Sequence, residues 1–167
     1  PPGDDFGPVR RAARVLRDFL EELGLASFLM LTGSRGAHVR IPLRRGPDFD
    51  EVRSFARTIA DHLAAASPDS LTTEVRKEKR EGRLFLDVAR NAYGQTAVAP
   101  YSVRPAAGAP VATPLDWEEL AGEDLTSRSH TIHSLPRRLG QREDPWKGMG
   151  RHGHGIEDAR QRLDRSG

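Results

Sequence analysis

Apolar residues recur at helical intervals at Val9, Ala12, Ala13, Leu16, Phe19 and Leu20, while Arg10, Arg11, Arg14 and Arg17 take the opposite face. Asp4 and Asp5 ahead of Pro8 suit a helix N-terminal dipole, and Gly24 suits a stop, so a helix is predicted near residues 8–23. Leu25 to Leu31 is an unbroken apolar run that reads as a buried strand. Ala37 to Leu43 alternates instead, with His38, Arg40 and Pro42 set against Val39, Ile41 and Leu43. The glycines between these two runs predict a hairpin. After Gly46-Pro47-Asp48, the stripe Phe49, Val52, Phe55, Ala56, Ile59, Ala60 and Leu63 predicts a second helix near 48–65.

Signals weaken downstream. Ser67-Pro68-Asp69-Ser70 breaks the chain, Leu71 to Glu81 reads as a charged helix or turn ended by Gly82, and Arg83 to Val88 reads as a third strand. Thr96 to Val103 is extended or mixed, Pro114 to Leu120 a short helix entered through proline, and Ser134 to Leu139 another. From Lys147 the glycine- and histidine-rich run carries almost no core material, so residues 147–167 are expected to form a flexible tail after a domain at 1–146. The expected fold is α+β: a mostly antiparallel sheet from residues near 26–32, 37–43 and 83–88, packed by the two long helices and leaving a sheet edge exposed.

Composition narrows this picture. A chain of 167 residues fits one domain, and an apolar fraction of 37% supports only a modest core. With no cysteine, disulfides and thiolate metal sites are excluded. No apolar run approaches about 18 residues, so no membrane span is expected, and no secretory leader pattern opens the sequence. The formal net charge of +2 does not itself point to a polyanion. Arginine, however, far outnumbers lysine, which occurs only at Lys77, Lys79 and Lys147, and the planar guanidinium fork suits phosphate.

Three segments carry candidate chemistry. In Thr32-Gly33-Ser34-Arg35-Gly36-Ala37-His38, a glycine turn exposes amides that can form an anion nest; Thr32 and Ser34 add hydroxyls, Arg35 a charge, and His38 opens the returning strand. Asp87 ends the run Arg83-Leu84-Phe85-Leu86, where a buried carboxylate has to be paired or metal-bound; an ion pair with Arg90 is the plain structural alternative. Arg104 follows Tyr101-Ser102-Val103. A hydrogen bond to a charged group contributes about 1.5–3 kcal/mol, against about 0–1 kcal/mol for an exposed ion pair. Arg104 beside a polar turn therefore outranks Arg76, Lys77, Lys79 and Arg80, which read as a solvated face. His130 with His133, and His152 with His154, lack the companions of a closed four-ligand zinc site.

Taken in order, Thr32 to Val39, Phe85-Leu-Asp87-Val-Ala-Arg90-Asn91, Gln95-Thr96-Ala-Val-Ala-Pro100-Tyr101-Ser102-Val-Arg104, Trp117-Glu118-Glu119-Leu120 and Asp144-Pro145-Trp146 resemble the polymerase domain of bacterial DNA ligase D, a branch of the archaeo-eukaryotic primase-polymerase superfamily. The likeness spans nearly all of residues 1–146. It implies part of a primase-polymerase palm and a nucleotidyltransferase that adds nucleotides to DNA ends in non-homologous end joining. It also implies a two-metal site for Mn²⁺ or Mg²⁺. By motif position Asp87 is the catalytic, metal-holding carboxylate, and Thr32, Ser34, Arg35, His38 and Arg104 bind the nucleotide. The implied partners are DNA ends and nucleoside triphosphates, with ligase and Ku-type end-binding proteins, in the bacterial cytoplasm at the nucleoid.

The family's Asp-x-Asp pair falls just before a Pro-Pro turn, and this sequence opens at Pro1-Pro2. Asp4 and Asp5 are adjacent and would point to opposite faces of a strand. The metal site is thus expected to be incomplete and the chain inactive, or nearly so, on its own. The alternative is a non-catalytic module that holds 5′-phosphorylated DNA ends through the basic turn and the arginine face of the first helix.

Overall fold

A computed structural model describes residues 5–165; Asp4 and the opening prolines lie outside them. Helix α1 (Gly7–Glu22) starts where Asp5 Oδ1 accepts the Gly7 amide at 2.8 Å, with Pro8 in the first turn. It ends at Gly24, whose φ of +75° allows Leu25 N to reach back to Leu20 O at 2.8 Å. Strands β1 (Phe28–Leu31) and β2 (Ala37–Arg40) form the expected antiparallel hairpin, pairing Met30 with His38 and Phe28 with Arg40. Helix α2 (Phe49–Ala66) opens with a reciprocal cap, in which Asp48 accepts from Glu51 N and Glu51 accepts from Asp48 N.

The architecture is α+β with an antiparallel sheet, but the third strand of that sheet is not the one expected. Two residues of strand β3 (Leu71–Thr72) pair in parallel with two of strand β4 (Leu84–Phe85), making a separate ladder. Leu71 and Thr72, read as the start of a charged helix or turn, are buried; two residues are too few to show a period. The main sheet runs β2-β1-β5, with strand β5 (Thr113–Leu115) antiparallel to β1. Pro114 masks β5 in the sequence, because proline cannot donate to a ladder and survives only at an edge, which is where it sits. The helical turn expected from Pro114 therefore starts later, as a 3-10 segment at Trp117–Ala121 capped by Asp116 and Glu119.

Side chains alternate across the sheet. Leu29, Leu31, Val39 and Leu115 pack with Phe6, Val9, Ala13 and Leu120 beneath α1. Met30, His38, Arg40 and Pro114 are consequently turned to the other face. A second apolar cluster joins α1 and α2 through Phe19, Leu20, Phe55, Ile59 and Leu63. Ile156, Ala159 and Leu163 complete it from the C-terminal stretch, which was expected to bring almost no core; helix α4 (Glu157–Arg165) presents the last two from one side. The short helix α3 (Leu135–Gln141) lies between. No helix of the described residues is long and apolar enough to cross a membrane.

Candidate functional site

The outward face of the hairpin holds the polar cluster. At its turn, Thr32 Oγ1 donates to Gly36 O at 2.9 Å and accepts the amides of Ser34 and Gly36, both at 3.3 Å. Two of the amides expected to form an anion nest, those of Ser34 and Gly36, are therefore answered from within the turn, and Thr32 serves to close it. The Ser34 hydroxyl and the exposed Arg35 guanidinium have no hydrogen-bond partner among the described residues.

Arg104 comes to this turn from a second hairpin-like loop. Arg104 N donates to Pro110 O at 2.7 Å, Val103 bridges Val111, and Tyr101 N donates to Ala112 O at 2.7 Å. Tyr101 holds a left-handed φ of +64°, uncommon for a bulky residue. Burial, followed by the neighbouring Asp144 carboxylate, pushes its phenol up to about 12. The Arg104 stem runs directly over Gly33: a Cβ at that glycine would lie 2.7 Å from Arg104 Cγ, and Gly33 φ is +65°. Glycine is thus demanded there twice over. Arg104 Nε is buried and has no partner among the described residues.

His38 ties the segments together electrically. Burial lowers its pKa most, and the charge of Arg40 adds to this; Asp87 raises it, while Arg104 and Arg90 lower it again. One carboxylate and three arginines thus act on one imidazole. Asp87 itself is exposed rather than desolvated or ion-paired, and its Oδ1 accepts Ala89 N at 3.0 Å. A short polar turn has replaced the buried strand end that was expected of it. Arg90 reaches Gln95 Oε1 at 3.2 Å instead of Asp87.

Other contributors escaped the motif reading. Arg40 lies two residues after His38 on the same strand face, a spacing that was visible in the sequence; its Nη2 donates to Val98 O at 3.0 Å and its guanidinium lies 5.4 Å from the Trp146 ring centre. Trp146 Nε1 donates to Leu29 O at 2.9 Å, pinning the Asp144-Pro145-Trp146 segment to β1. Ser127 and Arg128 grip the hairpin turn from about ninety residues away, and no local signal announces them.

A pair of divalent ions needs several converging carboxylates. Among the described residues no three histidine, aspartate or glutamate side chains converge to hold an ion, and Asp87 is the one carboxylate acting on His38. The residues present do not fit a two-metal centre.

A family model, LigD primase-polymerase domain, matches residues 1–146. The chain belongs to the LigD primase-polymerase family. It is 38% identical over 138 residues to the multifunctional non-homologous end joining protein LigD of Pseudomonas aeruginosa, covering 81% of this chain and 16% of that one. It is 34% identical over 149 residues to the bifunctional LigD of Bacillus subtilis, covering 87% of this chain and 24% of the relative. Among solved structures, the polymerase domain from Mycobacterium tuberculosis ligase D in complex with DNA superposes with a TM-score of 0.82 at 28% identity, over 90% of this chain and 52% of that chain. This LigD-family chain therefore spans a quarter or less of the two named LigD proteins and about half of the solved domain.

Proposed function

We propose that this chain is the nucleotide-holding part of a ligase D-type nucleotidyltransferase, which adds nucleotides to DNA ends during non-homologous end joining. The observation that carries this reading is Arg104, whose Nε is buried without a partner beside a turn with an unengaged hydroxyl and an unengaged arginine. A buried guanidinium N–H left without an acceptor costs free energy. A phosphate oxygen at the Arg104 guanidinium would neutralise the surplus positive charge around His38. Arg104 and Arg35 would bind the polyphosphate, His38 would donate to a phosphate oxygen, and Arg40, braced by Trp146, would fix the floor beneath it. Because the residues present do not fit a metal pair, the chemistry assigned to this chain is binding and orienting the triphosphate.

The rival reading is a module that holds 5′-phosphorylated DNA ends through the basic turn and the arginine face of α1. It keeps that turn and the exposed Arg11, which has no partner among the described residues, but less of the rest of the helix face. Arg10 and Arg14 donate to the carbonyls of Glu123, Leu125 and Leu120, and Arg17 pairs with Glu21.

Calorimetric titration tests the assignment. ATP is expected to bind, with His38→Ala and Arg104→Ala each weakening it about tenfold, the loss of one charge-assisted hydrogen bond. Unchanged affinity in both variants rejects the reading. Primer extension with Mn²⁺ should show no nucleotide addition by this chain alone; robust addition would mean that its carboxylates do hold a metal pair.

A further inference from the structure

The carbonyl of Ser34, at the tip of the hairpin turn, is held by two donors from far along the chain. Ser127 Oγ donates to it at 2.7 Å and Arg128 Nε at 3.0 Å. Ser127 is 7% exposed, so the first bond is sheltered from water. The loop that carries both residues is tied to itself: Thr126 N reaches Ser129 Oγ at 2.8 Å, and Arg128 N reaches Thr126 Oγ1 at 3.2 Å. Arg128 is thus fixed at its backbone and again at Nε. A guanidinium is planar, so pinning Nε confines both terminal nitrogens to one plane beside the turn. Arg128 is exposed, and those nitrogens have no hydrogen-bond or ion-pair partner among the described residues.

Thr32 has already answered the amides of Ser34 and Gly36. An anion arriving at this turn finds those two amides engaged and depends the more on side chains. Those in place are the Ser34 hydroxyl, Arg35 and the free edge of Arg128.

We propose that Arg128 is a further phosphate-binding residue of this site, with Ser127 as the positioning residue that holds the turn against it. The proposal rests on the reading of the hairpin face as a polyphosphate seat. The lone Nε bond is a weak reason to keep a charged side chain here, because Ser127 holds the same carbonyl at shorter range. The unengaged fork, with no carboxylate paired to it, is what a phosphate oxygen would use.

The test uses inorganic tripolyphosphate as the probe, titrated calorimetrically into the full chain at several salt concentrations, with thermal melting of each variant alongside. Arg128→Ala is expected to melt like the parent, because Ser127 retains the turn. It should bind tripolyphosphate about tenfold more weakly, with a shallower salt dependence. Arg128→Lys keeps the charge but not the planar fork and should recover part of the loss. Ser127→Ala should cost less, because Arg128 Nε still holds the Ser34 carbonyl. If Arg104→Ala weakens binding and Arg128→Ala does not, the proposal falls and the underlying reading stands. If neither does, the reading itself falls. If Arg128→Ala weakens binding with an unchanged salt dependence, Arg128 only scaffolds the turn and the proposal is overturned.

Discussion

Most arginines of α1 and those around the hairpin turn have the same side chain and different fates, although Arg11 is exposed without a partner among the described residues and Arg10 Nε, like Arg104 Nε, is buried without an acceptor there. Arg10 and Arg14 spread their N–H groups over carbonyls in the 120–125 segment, where a short 3-10 turn ends and leaves acceptors unanswered. Arg17 pairs with Glu21 and lies 5.5 Å from the Trp117 ring centre. Arg35, Arg104 and Arg128 keep donors for which the described residues offer no acceptor. Arginine abundance therefore says little about polyanions; what matters is which guanidinium groups the fold has already satisfied.

The largest effect expected from this contrast is at Arg138, the most thoroughly engaged arginine. Its Nη2 reaches Glu119 Oε2 at 2.7 Å and Pro114 O at 3.2 Å, and the two side chains are 11% and 16% exposed. Arg138→Ala would leave the largely buried Glu119 carboxylate with only the Asp116 amide and a 3.4 Å contact to Arg142 among the described residues, and lower stability by about 2 kcal/mol in urea denaturation, leaving ATP affinity intact. A smaller pair of effects sharpens the comparison. Arg14→Ala should lose about 1 kcal/mol of stability with no change in binding, whereas Arg35→Ala should bind ATP a few-fold more weakly with no change in melting. An exchange of those outcomes would break the comparison.

The smallest effect is a pH slope. Burial and Arg40 hold His38 below its ordinary 6.5, so the unfolded chain binds more protons than the folded one around that pH. Stability should be complete above about 6.5 and decline as acidity rises through it. His38→Gln should flatten the decline only in part, since burial lowers His130 as well. Urea denaturation across that range checks this.

Long periodic segments were legible in the sequence: α1, α2 and the hairpin follow spacing that only one local structure satisfies. The strand hidden by Pro114 was not, because β5 depends on a neighbour some eighty residues away to accept a proline at its edge. Leu71 and Thr72 failed for want of length. In the site, glycine spacing marked the turn and motif order marked His38 and Arg104, while Arg40 was readable from alternation alone. The burial expected of Asp87 was not found, because the sequence could not show that its strand stops at Phe85 and turns into solvent. Ser127 and Arg128 reach the turn through tertiary folding, which no window on the chain contains.

The packing of Trp146 gives the molecule an optical gauge of its own. Its indole sits against Arg40 on the face where His38 is found, while Trp117 lies on the opposite side of the sheet, under α1. Indole emission responds to charge placed near the ring, so an anion settling beside Arg40 would change the signal of one tryptophan and leave the other as a constant background. Occupancy of this surface is thus open to fluorescence titration without a label or a cleavage reaction.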